Sequence, residues 1–362
     1  MAELLKDKYN KTFFSEFIAI VKSAYPSFDE QKFLKHVYTD DWELLELKQR
    51  MRQVTKAVQK TFPSSYEEAI HLLEDIAPKC RGLEYLFFPD FVEVYGLEQW
   101  ESSMKALSIF TEFSTSEFAI RPFIMRDQEK AFEQLRKWSV DENEHRRRLA
   151  SEGCRPRLPW GVALQSLKKD PTPILPILQT LKEDNSLYVR KSVANNVNDI
   201  SKDHPGLVKQ IIRDWGGKHP NTDWILKHGS RTLLKKGDKE ALRLFGFTDV
   251  TEVDVENVTL SHEQLSIGQS LQFSFDLHLR TTQSLRVEYV IDYVKANGKH
   301  SSKKFHLSEK EYKSGKVTMT KKHAFKDLST RKHYSGQHKL TIVINGEEKA
   351  SEFFILLASS LQ

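Results

Sequence analysis

This chain of 362 residues has little cysteine and few long apolar runs. Its two cysteines, Cys80 and Cys154, exclude a disulfide framework and a cysteine-rich zinc site. No stretch approaches 18 uncharged apolar residues, and the first ten residues, MAELLKDKYN, lack an apolar core of the kind found in signal peptides. We therefore expect a soluble, cytoplasmic protein that does not bind a membrane.

Several catalytic motifs are also missing. The sequence contains no Walker loop, no GxGxxG, no HExxH and no CxxC. We expect no metal and no organic cofactor. The charge is nearly balanced, because 55 Lys and Arg residues oppose 50 Asp and Glu residues and leave a formal charge of +5. That excess allows nucleic-acid binding without requiring it.

What is present divides into two regions of different periodicity. Residues 1–247 show apolar residues at helical spacing, interrupted by Pro and Gly, whereas residues 250–362 alternate with period two. In the second region, apolar residues alternate from Leu271 to Leu279 and from Leu285 to Tyr293, and Asn345-Gly346 is a hairpin signal. We predict a helical domain over 1–247 and an immunoglobulin-like β-sandwich over 250–362.

The helical region carries a weak internal repeat after residue 155. Five predicted helices, joined by short polar loops, recur in pairs at the roughly 40-residue period of HEAT units. They cover residues 158–167, 174–181, 187–200, 207–215 and 224–234. The fold class is therefore a multidomain α plus β protein, in which a HEAT-like helical solenoid precedes an all-β sandwich.

The predicted helix from residue 187 places Asp199 beside its apolar stripe. A carboxylate so close to a buried face is costly unless it is paired or lines a cavity. The ordinary alternatives are a solvated edge residue or an ion pair with an arginine such as Arg190. Glu152 stands at the end of another predicted helix, just before Gly153, where the helix dipole disfavours an anion. It is either a functional carboxylate or a solvated residue on an exposed turn.

Two further candidate residues, Glu117 and Trp160, each have an ordinary structural explanation as the alternative to a functional role. Glu117 completes a capping-box pattern with Ser114, so a helix cap would explain it without any function. Trp160 follows the stiff segment RPRLP and is predicted to start a helix; it is either a core residue or an aromatic ring that stacks on a base or a cation.

Basic residues cluster twice. One group contains Arg155, Arg157 and the run 146–148. The second group lies between residues 295 and 339, where 13 Lys and Arg residues face three acids and five histidines add to them. Its densest parts are predicted loops, 296–304 and 330–338, which suit a phosphate backbone; the alternative is an ordinary lysine-rich surface. The predicted contacts there are Lys299, Lys303, Lys304, Arg331 and Lys332.

A last candidate is the segment 219–231, in which Asn221 or Thr222 is a predicted helix N-cap. Such a helix start, with His228 and Arg231 nearby, could hold a phosphate.

Four segments resemble the AlkC branch of the HEAT-repeat alkylpurine DNA glycosylases. They are SEFAIRPF at 116–123, SEGCRPRLPW at 151–160, YVRKSVANNVND at 188–199 and HPNTDWILKHGSR at 219–231. The likeness covers about residues 1–247, and the β region resembles the immunoglobulin-like extension of some members.

The resemblance implies a monomeric base-excision repair enzyme that acts on double-stranded DNA. It implies hydrolysis of the N-glycosidic bond of cationic bases such as 3-methyladenine and 3-methylcytosine, without a base-flipping pocket. The matching segments assign Glu117, Glu152, Trp160 and Asp199 to the active site. They also imply that Arg155, Arg190, His228 and Arg231 contact DNA or support the active site. The alternative is a non-catalytic HEAT-type scaffold that binds nucleic acid or protein.

Overall fold

The computed structural model describes residues 4–328 and 331–358, which form two compact units. The first unit comprises Met1–His204 and Gly216–Gly229, and the second comprises Pro205–Trp215 and Ser230–Gln362. The predicted boundary between residues 247 and 250 stays a prediction, since these units divide the helical region differently. Within the described residues, no helix is long and apolar enough to cross a membrane.

In the described residues of the first unit, the regular secondary structure is helical. Its first eight α-helices are α1 (Lys11–Ala24), α2 (Glu30–Val37), α3 (Leu47–Thr61), α4 (Tyr66–Ile76), α5 (Phe87–Tyr95), α6 (Trp100–Phe110), α7 (Ile120–Arg126) and α8 (Gln128–Ser139). They are followed by α9 (Glu144–Gly153), α10 (Gln165–Lys169), α11 (Leu175–Leu181), α12 (Leu187–Asp203) and α14 (Pro220–Gly229). Polar side chains begin several of them; Asn10, Asp29 and Asp127 each accept a backbone N–H of the first turn.

The central helix of this unit is α12, and its apolar stripe is buried as predicted. Val189, Val193 and Val197 are fully buried. Helix α14 packs closely on α12 because Gly229 has no side chain; a Cβ there would lie 2.8 Å from a Val197 methyl and 3.1 Å from the carbonyl oxygen of Ala194. The close packing of these two helices fixes the position of the polar residues of α12 within the unit.

Three predicted helix boundaries are wrong. The segment 158–167 is mostly a turn, and α10 starts only at Gln165, since Trp160 has φ 63° and so lies outside the right-handed helical region. The predicted helix 224–234 is two helices, α14 and a shorter one from Arg231. Asn221 and Thr222 lie inside the first turn of α14 and donate to carbonyl oxygens of residues 182–184, so neither is its N-cap.

In its described residues, the second unit contains three α-helices and eight strands. The helices are α13 (Pro205–Trp215), α15 (Arg231–Lys236) and α16 (Lys239–Leu244). The strands are β1 (Val253–Leu260), β2 (Gln264–Ser266), β3 (Ser270–Leu279), β4 (Gln283–Val294), β5 (His300–Tyr312), β6 (Gly315–Ala324), β7 (Gly336–Ile344) and β8 (Glu347–Leu357). One sheet has the order β1-β3-β6 and the other β2-β8-β7-β4-β5, and β2 runs parallel to β8.

Both sheets contribute to one apolar core, so the predicted sandwich is confirmed. The alternating residues of β3 and β4, among them Phe273, Phe275, Val287 and Ile291, point into it. Asn345 and Gly346 both have positive φ and close the β7–β8 hairpin.

The histidines of this domain do not add to a basic surface as a group. His323, His333 and His338 are buried among aromatic rings, and His323 is hydrogen-bonded to the hydroxyls of Tyr289 and Tyr293, each at 2.8 Å. Burial and then the nearby charges of Arg331, His333, Lys303 and Lys321 lower the pKa of His323 to about 4. Burial also lowers the pKa of His338. The two imidazoles are therefore neutral at pH 7.

Acidification should destabilise the second unit. In the unfolded chain a histidine has a pKa near 6.5. Between about pH 6.5 and 4, His323 is therefore protonated in the unfolded state but neutral in the folded state, which favours unfolding. Stability should fall across that window by on the order of 3 kcal/mol. The measurement is thermal unfolding between pH 7.5 and 4.5, in which His323→Gln should flatten the slope and the exposed control His262→Gln should not. Equal slopes for the parent and His323→Gln would contradict the prediction.

Candidate active site

The end of α9 carries Glu152 into the interior of the first unit. Asn143 begins this helix by accepting the N–H of His145, and the helix ends at Gly153. A Cβ at Gly153 would lie 2.6 Å from a methyl of Ile120, so only glycine lets α9 end against α7. Glu152 is 5% exposed. The alternative of a solvated glutamate on an exposed turn is therefore wrong.

Arg155 joins Glu152 to Asp199. Its Nη1 donates to Glu152 Oε1 at 2.6 Å, and its Nε donates to Asp199 Oδ2 at 2.9 Å. Asp199 is 1% exposed, and its other oxygen, Oδ1, accepts from Lys202 Nζ at 3.0 Å. Asp199 is therefore a buried, ion-paired carboxylate, and its partners are Arg155 and Lys202 rather than Arg190.

Arg148 makes the corresponding link from Glu152 to Glu117. It forms an ion pair with Glu117, and its Nη2 lies 3.7 Å from Glu152 Oε1. Thr115 Oγ1 donates to Glu117 Oε2 at 2.6 Å. Helix α7 starts at Ile120 without a side-chain cap, so the capping-box explanation of Glu117 is wrong. Glu117 lies in the preceding turn with its carboxylate directed to Arg148.

These contacts form a continuous series that we call the ion-pair chain: Glu117, Arg148, Glu152, Arg155, Asp199 and Lys202. Burial alone would lower the pKa of Arg148, but the charges of Glu117 and Glu152 outweigh it and raise that pKa. The same balance raises the pKa of Arg155, through Glu152 and Asp199. All three carboxylates predicted from the sequence thus meet around two guanidinium groups, that of the buried Arg155 and that of the partly buried Arg148.

A neutral polar layer joins the two helices that carry the chain. Asn196 of α12 donates to the carbonyl oxygen of Ser151 at 2.9 Å, and the hydroxyls of Ser151 and Ser192 lie 2.7 Å apart. Burial raises the pKa of Cys154 to about 12, so its thiol is neutral at physiological pH and is no nucleophile. The layer fixes α9 against α12, which sets the spacing of Glu152 and Asp199.

Trp160 lies in the turn after α9, on the surface. Its side chain is 60% exposed, so the core alternative is wrong, and it does not start a helix. Its backbone has φ 63°, a left-handed conformation that is rare for a bulky residue. The same turn carries Arg155, so the exposed indole and the ion-pair chain belong to one segment.

The remaining predicted residues of the first unit lie outside the ion-pair chain. Arg157 pairs with Asp203 at 2.7 Å. Arg190 donates to the carbonyl oxygens of Asp184 and Asn185, and its guanidinium lies 5.9 Å from the ring centre of Trp224. The ring of His228 stacks on the same indole at 5.0 Å. Arg190 and His228 thus flank Trp224, which is partly exposed.

This chain is similar to a known family model, to a known protein and to a solved structure. A family model for the C-terminal immunoglobulin-like domain of the uncharacterised protein YhaZ matches residues 254–358. Over 348 residues the chain is 51% identical to the uncharacterized protein YhaZ of Bacillus subtilis strain 168, covering 96% of this chain and 98% of that protein. It is also similar to the structure of the alkylpurine DNA glycosylase AlkC of Pseudomonas fluorescens bound to DNA containing an abasic site analog. That match has 38% identity and a TM-score of 0.95, and covers 98% of this chain and 100% of the other.

The chain belongs to the AlkC family of alkylpurine DNA glycosylases. This confirms the resemblance inferred from the four sequence segments, and with it the helical-repeat fold followed by an immunoglobulin-like domain.

The basic residues of this AlkC-family chain are arranged differently from the prediction. The adjacent arginines of 146–148 point to different sides of α9, since each residue advances the helix by 100°. Arg146 pairs with Glu112, and Arg147 pairs with Asp184. Ion pairs therefore occupy all three arginines, and they do not form one basic face.

In the second unit, Lys303 and Lys304 lie on strand β5 rather than in a loop. With Arg231, Lys235 and Lys236 of α15 they line one groove, which also contains the acids Glu288, Asp292 and Glu348. Lys299 and Lys332 are exposed in loops, and Arg331 lies with its guanidinium 5.6 Å from the ring centre of Tyr293. Thr330, at the start of the second predicted loop, lies outside the described residues.

Sequence reasoning missed several residues of the ion-pair chain and of the groove in the second unit. It named Arg148 only as a member of a basic run, and it did not name Lys202 at all. A signal was present, because Arg148 precedes Glu152 by four residues and Lys202 follows Asp199 by three, both helical ion-pair spacings. It also missed the groove lysines 235 and 236, which no local pattern relates to β5.

Proposed function

We propose that this protein is a DNA glycosylase that excises cationic alkylated bases from double-stranded DNA. The bases we expect are 3-methyladenine and 3-methylcytosine, and the reaction is hydrolysis of the N-glycosidic bond. The observation that carries the proposal is the convergence of the buried carboxylates Glu117, Glu152 and Asp199 within one ion-pair chain, in a protein that belongs to the AlkC family. A scaffold that only binds DNA gains nothing from acids at its binding surface, because they repel phosphates.

The chemistry asks for carboxylates rather than for a strong acid. A base that already carries a positive charge leaves with the electrons of the C1′–N bond and becomes neutral, so it needs no proton. Positive charge develops on the deoxyribose as that bond breaks, as in glycoside hydrolysis. Buried carboxylates stabilise that charge electrostatically. Water then adds to C1′ and gives up one proton.

Glu152 is the residue we assign to that proton. Both oxygens of Asp199 accept hydrogen bonds from cations, whereas both cationic contacts of Glu152 are made to Oε1. We therefore expect Glu152 Oε2 to bind the attacking water and take its proton, as a general base does. Asp199 and Glu117 contribute negative potential, and Trp160 packs against the sugar or the lesion.

The ion-pair chain contains three carboxylates and three cationic side chains, so its charges cancel. Binding of DNA therefore has to change this charge balance. Phosphate oxygens accept the same bidentate hydrogen bonds from arginine as carboxylates do. We expect the DNA backbone to draw Arg155 and Arg148 partly away from the carboxylates, so that their negative charge acts on the sugar. The guanidinium of Arg155 occupies the space beside Glu152 and Asp199. Because we expect DNA to draw this guanidinium only partly away, the space stays filled, and we propose that the active site works without a pocket for a flipped base.

The test is base release from methylated DNA, followed by chromatography of the free bases. The purified protein should release 3-methyladenine and 3-methylcytosine, and Glu152→Gln, run in parallel, should not. If both proteins release bases, the protein is a glycosylase but Glu152 does not have the role proposed for it. If neither protein releases a base while both bind DNA, the scaffold alternative is favoured.

We also propose that the second unit binds the DNA backbone through its basic residues. Replacing both Lys299 and Lys332 with Gln should weaken DNA binding and reduce the slope of log Kd against log salt by about 1 to 2, since each lost phosphate contact removes about 0.9. The measurement is fluorescence anisotropy over a salt series. The double control Lys32→Gln/Lys35→Gln, on α2 of the first unit, removes the same charge and should leave the slope unchanged. An unchanged slope in the Lys299/Lys332 variant would contradict the assignment.

The other expectations, a monomeric state, a cytoplasmic location and no cofactor, stay predictions. Among the described residues, no group of three or more His, Cys, Asp or Glu side chains is arranged to hold a metal ion.

A further inference from the structure

The turn that carries Arg155 and Trp160 is held at its base by one buried side chain. Arg121 of α7 is 1% exposed, and it donates to three carbonyl oxygens of this turn. Its Nη1 lies 2.9 Å from the carbonyl oxygens of Gly153 and Arg155, and its Nε lies 2.6 Å from that of Val162. One guanidinium thus ties together residues on both sides of Trp160.

The tip of the same turn is held from another helix. Lys48 of α3 donates from Nζ to the carbonyl oxygen of Trp160 at 2.8 Å. The same Nζ lies 4.9 Å from the ring centre of Phe118, the residue after Glu117. Lys48 therefore joins the turn with Trp160 to the turn with Glu117, although the three segments are far apart in sequence.

The conformation that these contacts hold is not one that the turn would adopt by itself. Trp160 has φ 63°, a left-handed conformation that is strained for a residue with a large side chain. Its indole is 60% exposed, so burial of the ring does not compensate for this strain. Two hydrogen bonds within the turn, from Gly161 N–H to the Leu158 carbonyl and from Leu164 N–H to the Pro156 carbonyl, complete the holding contacts.

We propose that Lys48 and Arg121 are positioning residues, which hold the Trp160 turn against the Glu117 turn and so preorganise the indole for base release. The inference rests on the glycosylase function proposed above. Neither residue touches the reacting atoms in this scheme. They act through Trp160, whose ring has to meet the sugar or the lesion at a fixed distance from the carboxylates.

Because Lys48 is exposed, the alternative role for it is to bind a DNA phosphate. The experiment has to distinguish this role from that of a positioning residue. A lysine that binds phosphate raises DNA affinity and its salt dependence without ordering any turn. A positioning lysine leaves affinity nearly unchanged and alters the rate of the chemical step. The two roles therefore differ in the division between Kd and the single-turnover rate, and in the dynamics of residues 158–164.

The experiment uses Lys48→Met, which keeps the aliphatic stem over Phe118 and removes the donor. We expect amide hydrogen exchange at Gly161 and Leu164 to quicken about tenfold, since these amides are protected by the turn. We expect the single-turnover rate of 3-methyladenine release to fall about tenfold with Kd within about twofold. Lys56→Met, two turns further along α3 and exposed, is the matched control and should change neither.

Arg121→Lys keeps the buried charge but cannot reach all three carbonyl oxygens, and should lower the rate by up to about a hundredfold. In a Trp160→Ala background, both substitutions should lose most of their effect on the rate, because they act through that ring. If Arg121→Lys does not fold, as judged by near-ultraviolet circular dichroism, Lys48→Met carries the test.

Unchanged exchange at Gly161 and Leu164 in Lys48→Met would overturn the proposal, whatever the activity. A loss of affinity with an unchanged rate would overturn it in favour of phosphate binding. If the parent protein releases no base, the proposed function fails, and the exchange experiment still shows whether Lys48 holds the turn.

Discussion

Glu152→Gln should slow base release from methylated DNA about a thousandfold in single turnover, the combined effect of losing a general base and one transition-state charge. Glutamine has nearly the same shape, and its amide oxygen can still accept from Arg155 Nη1, which lies 2.6 Å from Glu152 Oε1. It cannot take a proton from water. The measurement is the rate constant for 3-methyladenine release with enzyme in excess over DNA.

This large loss of activity should come with a small loss of stability. Removing one partner of a buried ion pair is normally costly, because the other charge stays behind unpaired. Here each guanidinium keeps a second carboxylate: Arg155 keeps Asp199, and Arg148 keeps Glu117. We expect the melting temperature to fall by no more than about 4 °C.

A matched control for Glu152 is Glu112→Gln. Glu112 also accepts from an arginine of α9, since Arg146 Nη2 lies 2.7 Å from its Oε1, but it lies outside the ion-pair chain. Its rate should stay within about twofold of the parent's. If Glu152→Gln works as fast as this control, Glu152 is not the residue that activates water.

Asp199→Asn should lower the same rate about a hundredfold, because it removes one of three negative charges next to the developing positive charge on the sugar. The effect is smaller than for Glu152 because both oxygens of Asp199 are engaged, by Arg155 at 2.9 Å and by Lys202 at 3.0 Å. Its role is therefore electrostatic rather than proton transfer. Folding should again be preserved, since Arg155 keeps Glu152 and the half-exposed Lys202 can return to water.

Asp184→Asn is the matching substitution for Asp199. Asp184 is a partly buried aspartate that pairs with Arg147 of α9 at 2.7 Å, and its carboxylate takes no part in the ion-pair chain. A rate near the parent's in Asp184→Asn, together with the hundredfold loss in Asp199→Asn, would separate catalysis from general loss of ion pairs. Equal losses in both variants would reduce Asp199 to a structural residue.

The sequence indicated which carboxylates come together, but not which cations surround them. Glu152 and Asp199 stand out in the sequence because a carboxylate at a helix C-terminus or beside an apolar stripe is costly. The structure shows how that cost is met, since Arg155 donates to both carboxylates. For Glu117 the sequence also offers a helix cap as an alternative, because the capping-box pattern is local. A contact with Arg148 from another helix overrides that pattern.

The sequence by itself determined the elements and the fold class. Periods of 3.6 and 2 follow from backbone geometry, so the burial of Val189, Val193 and Val197 and the alternation along β3 could be read directly. Only the tertiary structure decided which charges meet. Arg121 reaches three carbonyl oxygens and Lys48 reaches that of Trp160 across more than a hundred residues. Such contacts depend on how helices pack, and no local periodicity encodes the partner of a long basic side chain.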